Sequence, residues 1–232
     1  MQPSFGAARH VLKNEGVLPL AKKSALYLSC RTGVFDERIY ERSVEEIKER
    51  MAEENGLDDI LDTILDVHPG VYPYHISAMQ LREEIRGLTT MVAEQEPETI
   101  LEIGTANGGT FYVWSRFIDS CDTLVSLDLP GGDFGGGYEA NKIDLYRQFD
   151  QTKEMTFIRD NSHDEAVYER AAEAAGGGVD SFDAHLANRR GALPEDRLHV
   201  GGHGLVVVHV DGPVEAGFGH VAVRVLGGVD LP

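Results

Sequence analysis

The residues with the clearest chemical potential lie in one decapeptide, Leu101-Glu102-Ile103-Gly104-Thr105-Ala106-Asn107-Gly108-Gly109-Thr110. An apolar run ends at Gly104 and a helical pattern begins near Gly109, so the segment reads as strand, tight turn and helix. Glycine at such a turn permits a sharp reversal and close approach of a ligand to the backbone. Gly104, Ala106 and Gly109 fit G-x-A-x-x-G, a relaxed dinucleotide-binding pattern. Asp128 lies 19 residues beyond Gly109 and closes the next apolar run, Thr123–Leu127. An acid at that place hydrogen-bonds ribose hydroxyls. Turn, acid and flanking strand patterns agree. They favour a nucleoside-containing ligand over a structural turn with an incidental surface aspartate.

Glu102 separates two such ligands. Nicotinamide-binding folds usually carry an apolar residue here, because the strand is buried and the pyrophosphate brings its own negative charge. S-adenosylmethionine (SAM) carries a cationic sulfonium and an amino group, which a nearby carboxylate suits. SAM also has no phosphate to place on a helix N-terminus.

The elements that must position these residues follow from periodicity. Ile100–Ile103, Thr123–Leu127 and Met155–Arg159 are strand candidates. Phe111, Trp114, Phe117 and Ile118 recur at helical spacing, Glu139–Gln151 can be helical, and Asp160–Ser162 offers caps for a helix through Ala175. This alternation over about 60 residues predicts a parallel α/β sheet with its loops gathered at the strand C-termini. The N-terminal third reads helical. Ser43 and Glu46 form a capping-box pattern before Ile47, and Gly56 marks a stop. Leu57, Ile60, Leu61, Ile64 and Leu65 form a second stripe. A third helix is expected over Ser77–Glu94, with Leu81, Ile85, Leu88 and Val92 on one face. These stripes are packing surface, for the main domain or for a homo-oligomer through the N-terminal helices.

Composition narrows the function. The chain has 232 residues, 39 acidic against 21 basic, and a net charge of −18. That balance argues against nucleic-acid and anionic-membrane partners. Only six lysines are present (13, 22, 23, 48, 142, 153). A halophilic surface and an ordinary acidic one both fit. Cys30 and Cys121 cannot build a disulfide framework or a zinc knuckle. No apolar stretch approaches a membrane helix and the first thirty residues lack a secretory core, so a cytoplasmic location is expected.

The segment QLREEIRGLTTMVAEQEPETILEIGTANGGTFYVWSRF, with DTLVSLDLPGGDFGGGY and FIRDNSHDEA after it, resembles class I SAM-dependent methyltransferases. It is nearest the cephalosporin-hydroxylase-like and rhamnosyl O-methyltransferase-like subgroup, over about residues 75–175. The resemblance implies a Rossmann-like parallel sheet. It places Glu102, Gly104, Ala106 and Gly108, in a loop with Thr105 and Asn107, around the methionine part of SAM. It puts Asp128 on the ribose and Asp160, Asn161 and Ser162 near the adenine. It implies methyl transfer to a hydroxyl of a small molecule or sugar, by in-line displacement with a general base that no residue here identifies. The loop 131–138, with five glycines in eight residues, reads energetically as a mobile connection and by its place as a lid or wall, with Phe134 and Tyr138 facing a sugar or aromatic acceptor. His163 and Asp164 are read as helix N-terminus residues.

Two family motifs, a fourth strand ending like F-I-D-G-D-H and a fifth ending like G-G-x-h-h-x-H-D, are not in register. A divalent metal found in the family therefore has no identifiable ligands, and no metal site is assigned; His199 and His203 are incidental. Residues 176–232 contain 12 of 26 glycines, 11 valines and five of nine histidines, and no Lys, Ile or Tyr. Val179-Asp180 sits where a fourth strand would begin, without an apolar run. Either Leu205–Val210 and Val221–Leu226 are late strands of a divergent half, or the tail is degenerate or frameshifted; the latter reading is favoured.

The chain thus divides into a helical N-terminal extension (1–95), a SAM-binding half (96–175) and an atypical segment (176–232). The expected function is SAM-dependent methyl transfer, with activity in doubt. The alternative is a non-catalytic remnant acting as a binding module. An NAD-linked oxidoreductase is disfavoured by Glu102.

Overall fold

The computed structural model describes residues 36–130, 137–162, 164–176, 205–210 and 221–226. Helices α1 (Asp36–Glu53) and α2 (Leu57–Asp62, continuing as a π turn over Thr63–Val67) are followed by α3 (Arg82–Ala93). The chain then alternates: β1 (Thr99–Ile103), α4 (Gly109–Phe117), β2 (Thr123–Asp128), a 3-10 turn (Ala140–Lys142) running into α5 (Ile143–Tyr146), β3 (Glu154–Arg159) and α6 (Glu165–Ala174). Strands β4 (Leu205–Val210) and β5 (Val221–Leu226) complete the sheet.

The strand order is β3-β2-β1-β4-β5. β1 to β4 are parallel and β5 runs antiparallel to β4. Side chains alternate across the pleat and so feed two cores. Ile100 and Leu124 face a large cluster with Phe111, Trp114, Tyr146 and residues of α1 to α3. Leu101, Ile103, Val125, Leu127 and Ile158 face a smaller one with Val167 and Ala171 of α6. The helices of the β1–β2 and β2–β3 connections therefore lie on one face, and the helix after β3 lies on the other. Right-handed crossovers give this distribution when a chain runs outward to β3 and returns to the far side of β1. The fold is Rossmann-like α/β, with its topological switch point between β1 and β4.

The N-terminal helices share the larger core with the sheet. A polar pin assists them. Glu54, with a side chain 2% exposed, accepts hydrogen bonds from Thr63 Oγ1 (2.7 Å) and Tyr112 Oη (2.7 Å), and lies 3.5 Å from Arg116 Nε. It thereby ties the α1–α2 junction to α4.

Several local expectations are corrected. Ser43 is no cap: α1 runs through it, and its hydroxyl donates to Ile39 O (2.7 Å) while accepting from Val71 N (2.9 Å). The third helix begins at Arg82 rather than Ser77, because Ser77 is held in a parallel bridge to Gly108. The cap of α6 is Asp164, which accepts from Ala166 N (3.1 Å), rather than Asp160–Ser162. Leu205–Val210 and Val221–Leu226 are strands with the bounds offered for late strands, and the first pairs with the central β1. Val179, Asp180, His163, His199, His203 and Phe134 lie outside the described residues.

Candidate functional site

The loop between β1 and α4 lies at the carboxyl edge of the sheet, beside the switch point, where open α/β sheets bind ligands. Its backbone turns through left-handed conformations at Gly104 (φ 94°), Ala106 (φ 47°) and Gly108 (φ 76°). Alanine pays for that conformation and needs external support. Both polar groups of its backbone are pinned: Ala106 N donates to Asp128 Oδ2 at 2.6 Å, and Tyr146 Oη donates to Ala106 O at 2.8 Å.

Two glycines are required by the protein's own packing. A Cβ on Gly108 would stand 2.5 Å from the Tyr146 ring, and one on Gly109 2.5 Å from the backbone of Ser77 and Ala78. The Ser77 segment crosses the turn there, bridging to Gly108 and, through its Oγ, reaching Asn107 Nδ2 at 3.3 Å.

Asp128 closes β2 and is 8% exposed. Its second oxygen, Oδ1, accepts from Leu129 N at 2.7 Å. Burial raises its carboxyl above the usual aspartate value, while the two backbone donors pull it down. Each oxygen retains a lone pair, so the carboxylate can still take hydroxyl donors. Asp160 follows β3 and its N–H bonds Asp128 O at 2.8 Å, which places the two acids at neighbouring strand ends. Its carboxylate meets Arg170 at 3.2 Å. Asn161 is exposed and Ser162 half-buried on the same loop.

Glu102 is fully buried beneath α4. Its Oε1 accepts from Thr110 Oγ1 and from Trp114 Nε1 (3.1 Å), while Oε2 has no hydrogen-bond partner among the described residues. Burial pushes its pKa up to about 7, against the pull of the neighbouring donors and with a further push from Asp128. Thr105 also faces inward, 2% exposed, and shares a hydrogen bond with Ser126 Oγ at 2.7 Å. Gly104, Ala106 and Asn107 are half-buried at the turn.

Tyr138 is not an acceptor wall. It is 2% exposed, its hydroxyl shares a hydrogen bond with Ser126 Oγ (2.9 Å), and its ring meets Tyr146 edge-on with centroids 5.3 Å apart. Sequence reasoning missed Lys142, Tyr146 and Ser77, which brace the turn from elements distant in sequence. The available signal was Lys142 itself, an isolated lysine in a lysine-poor chain, just after the second-strand loop. Among the described residues no group of three or more His, Cys, Asp and Glu could hold a metal ion.

No family model matches the chain, and no curated protein sequence matches it. Among solved structures, it is similar to one described as the "crystal structure of a putative O-methyltransferase from Klebsiella pneumoniae". The two share 14% identity over 75% of this chain and 74% of that one, with a TM-score of 0.33.

Proposed function

We propose that this chain binds S-adenosylmethionine at the carboxyl edge of its sheet and transfers the methyl group to a hydroxyl of a small molecule or sugar. The observation that carries the reading is the junction of the Gly104–Gly108 turn with Asp128, at the ends of adjacent parallel strands beside the switch point. The free lone pairs of Asp128 suit ribose hydroxyls. Asp160, Asn161 and Ser162 stand one strand further out, where a base attached to that ribose would extend. The buried carboxyl of Glu102 beneath the turn disfavours a pyrophosphate and favours a cationic ligand when ionised. In this reading the chain's own residues supply binding and orientation, which are the main contributions to an in-line displacement.

Calorimetric titration with SAM, S-adenosylhomocysteine and NAD, at low and high salt, tests the proposal. Micromolar binding of the adenosyl ligands is the expected result. Preference for NAD would replace it with an oxidoreductase reading, and absence of binding to all three at both salt levels would leave a non-catalytic remnant.

A further inference from the structure

Lys142 is an unusual lysine. It is 5% exposed, and its ammonium makes one hydrogen bond, to Asn107 Oδ1 at 2.8 Å. An ammonium carries three donors. No carboxylate among the described residues lies within ion-pair distance of it, although Glu139 acts on its charge from further away. Lys153 offers the contrast, because its ammonium is shared between Ile118 O (2.8 Å) and Cys121 O (2.5 Å). Burying a cation with so few partners is costly unless something else completes its shell.

The neighbouring groups indicate what that is. His75 is close enough to feel the Lys142 charge, and its buried Nδ1 has no hydrogen-bond partner among the described residues. Burial, reinforced by Lys142 and His68, lowers its pKa to about 4, so the ring is neutral near pH 7 and can present an N–H. Asn107 belongs to the turn and holds the lysine against it. Lys142, held against the turn by Asn107 and with ammonium donors to spare, is a receptor for an anion there. Of the parts of an adenosyl-methionine ligand, only the carboxylate is anionic, and the acids Asp128 and Asp160 sit at the strand ends assigned to its nucleoside.

We propose that Lys142, positioned by Asn107, forms an anion subsite beside the Gly104–Gly108 turn that takes the carboxylate of the ligand's amino-acid part. This rests on the SAM reading above.

The test crosses a protein change with a ligand change. Wild type and Lys142→Met are titrated with S-adenosylhomocysteine, which has the amino-acid part, and with 5′-methylthioadenosine, which lacks it. The expected result is at least a tenfold loss for the variant with the first ligand and no change with the second. Lys142→Arg, which keeps the charge, should recover part of the loss. Equal weakening of both ligands, or no weakening of either, would overturn the subsite while leaving the SAM reading intact. If wild type binds neither ligand, the SAM reading fails and the subsite with it. If Lys142→Met does not fold, decarboxylated SAM on the wild type decides. Binding at least tenfold weaker than SAM supports the subsite, and equal binding overturns it.

Discussion

At the scale of single residues, the turn holds a strained alanine and a buried acid. Ala106 sits at φ 47° where glycine would carry no Cβ penalty. Ala106→Gly should therefore stabilise the fold by about 1 kcal/mol, provided the Asp128 and Tyr146 hydrogen bonds survive. Denaturant unfolding measures this, and a destabilised variant would mean that the alanine methyl packs favourably. Glu102 gives a pH signature. In the folded chain it keeps its proton up to about pH 7, whereas the ordinary value is 4.5. Between those values the folded state binds more protons than the unfolded state, so rising pH lowers stability through that window. Wild type should lose stability relative to Glu102→Gln as pH rises from about 4.5 to 7, with no further divergence above it. Parallel melting curves of the two proteins across that range check the sign; parallel behaviour would show that Glu102 stays ionised.

At the scale of elements, the docking of α1 and α2 on α4 combines a shared apolar core with one buried carboxylate, Glu54. Glu54→Ala would leave the buried Tyr112 hydroxyl without its acceptor, while Thr63 and Arg116 would keep their bonds to Asp59 O and Met51 O. A loss of about 2–3 kcal/mol is expected from unfolding measurements, because an orphaned buried donor costs more than a missing surface contact. The elements themselves were legible where pattern and burial coincide. β1, β2 and β3 appear in sequence as short apolar runs closed by Gly104, Asp128 and Asp160, and Leu205–Val210 stands out in the same way. Ser43 misled because a serine in mid-helix can return its hydrogen bond to the preceding turn, which imitates a cap in sequence. The start of α3 was misplaced because the Ser77 bridge is made to a residue 31 positions away. Of the candidate site, the turn and Asp128 are readable, whereas the supports at Lys142 and Tyr146 are products of tertiary packing, marked in sequence only by the isolation of Lys142 in a lysine-poor chain.

At the scale of the whole molecule, the segment that looks least like a working protein contributes a strand beside the centre of the sheet. Each residue of β1 from Thr99 to Ile103 is paired on one side with β2 and on the other with β4. A chain ending at Gly176 would leave β1 as an open edge and the switch point without its second wall. Such a truncation should aggregate or lose cooperative unfolding, as read by size-exclusion chromatography and circular dichroism. A soluble, cooperatively folding product would mark residues 177–232 as dispensable and strengthen the degenerate-tail reading.

The strap formed by Ser77 across Gly108 and Gly109 has a consequence for inheritance. A recombination event that copied only the alternating strand-and-helix stretch would carry the glycines and Asp128 but leave behind the chain that presses the turn into shape. The heritable unit of this site thus begins well before the first strand. A descendant that replaced the strap would lose the contact that forbids a side chain at Gly109, whereas Gly108 would stay constrained by Tyr146.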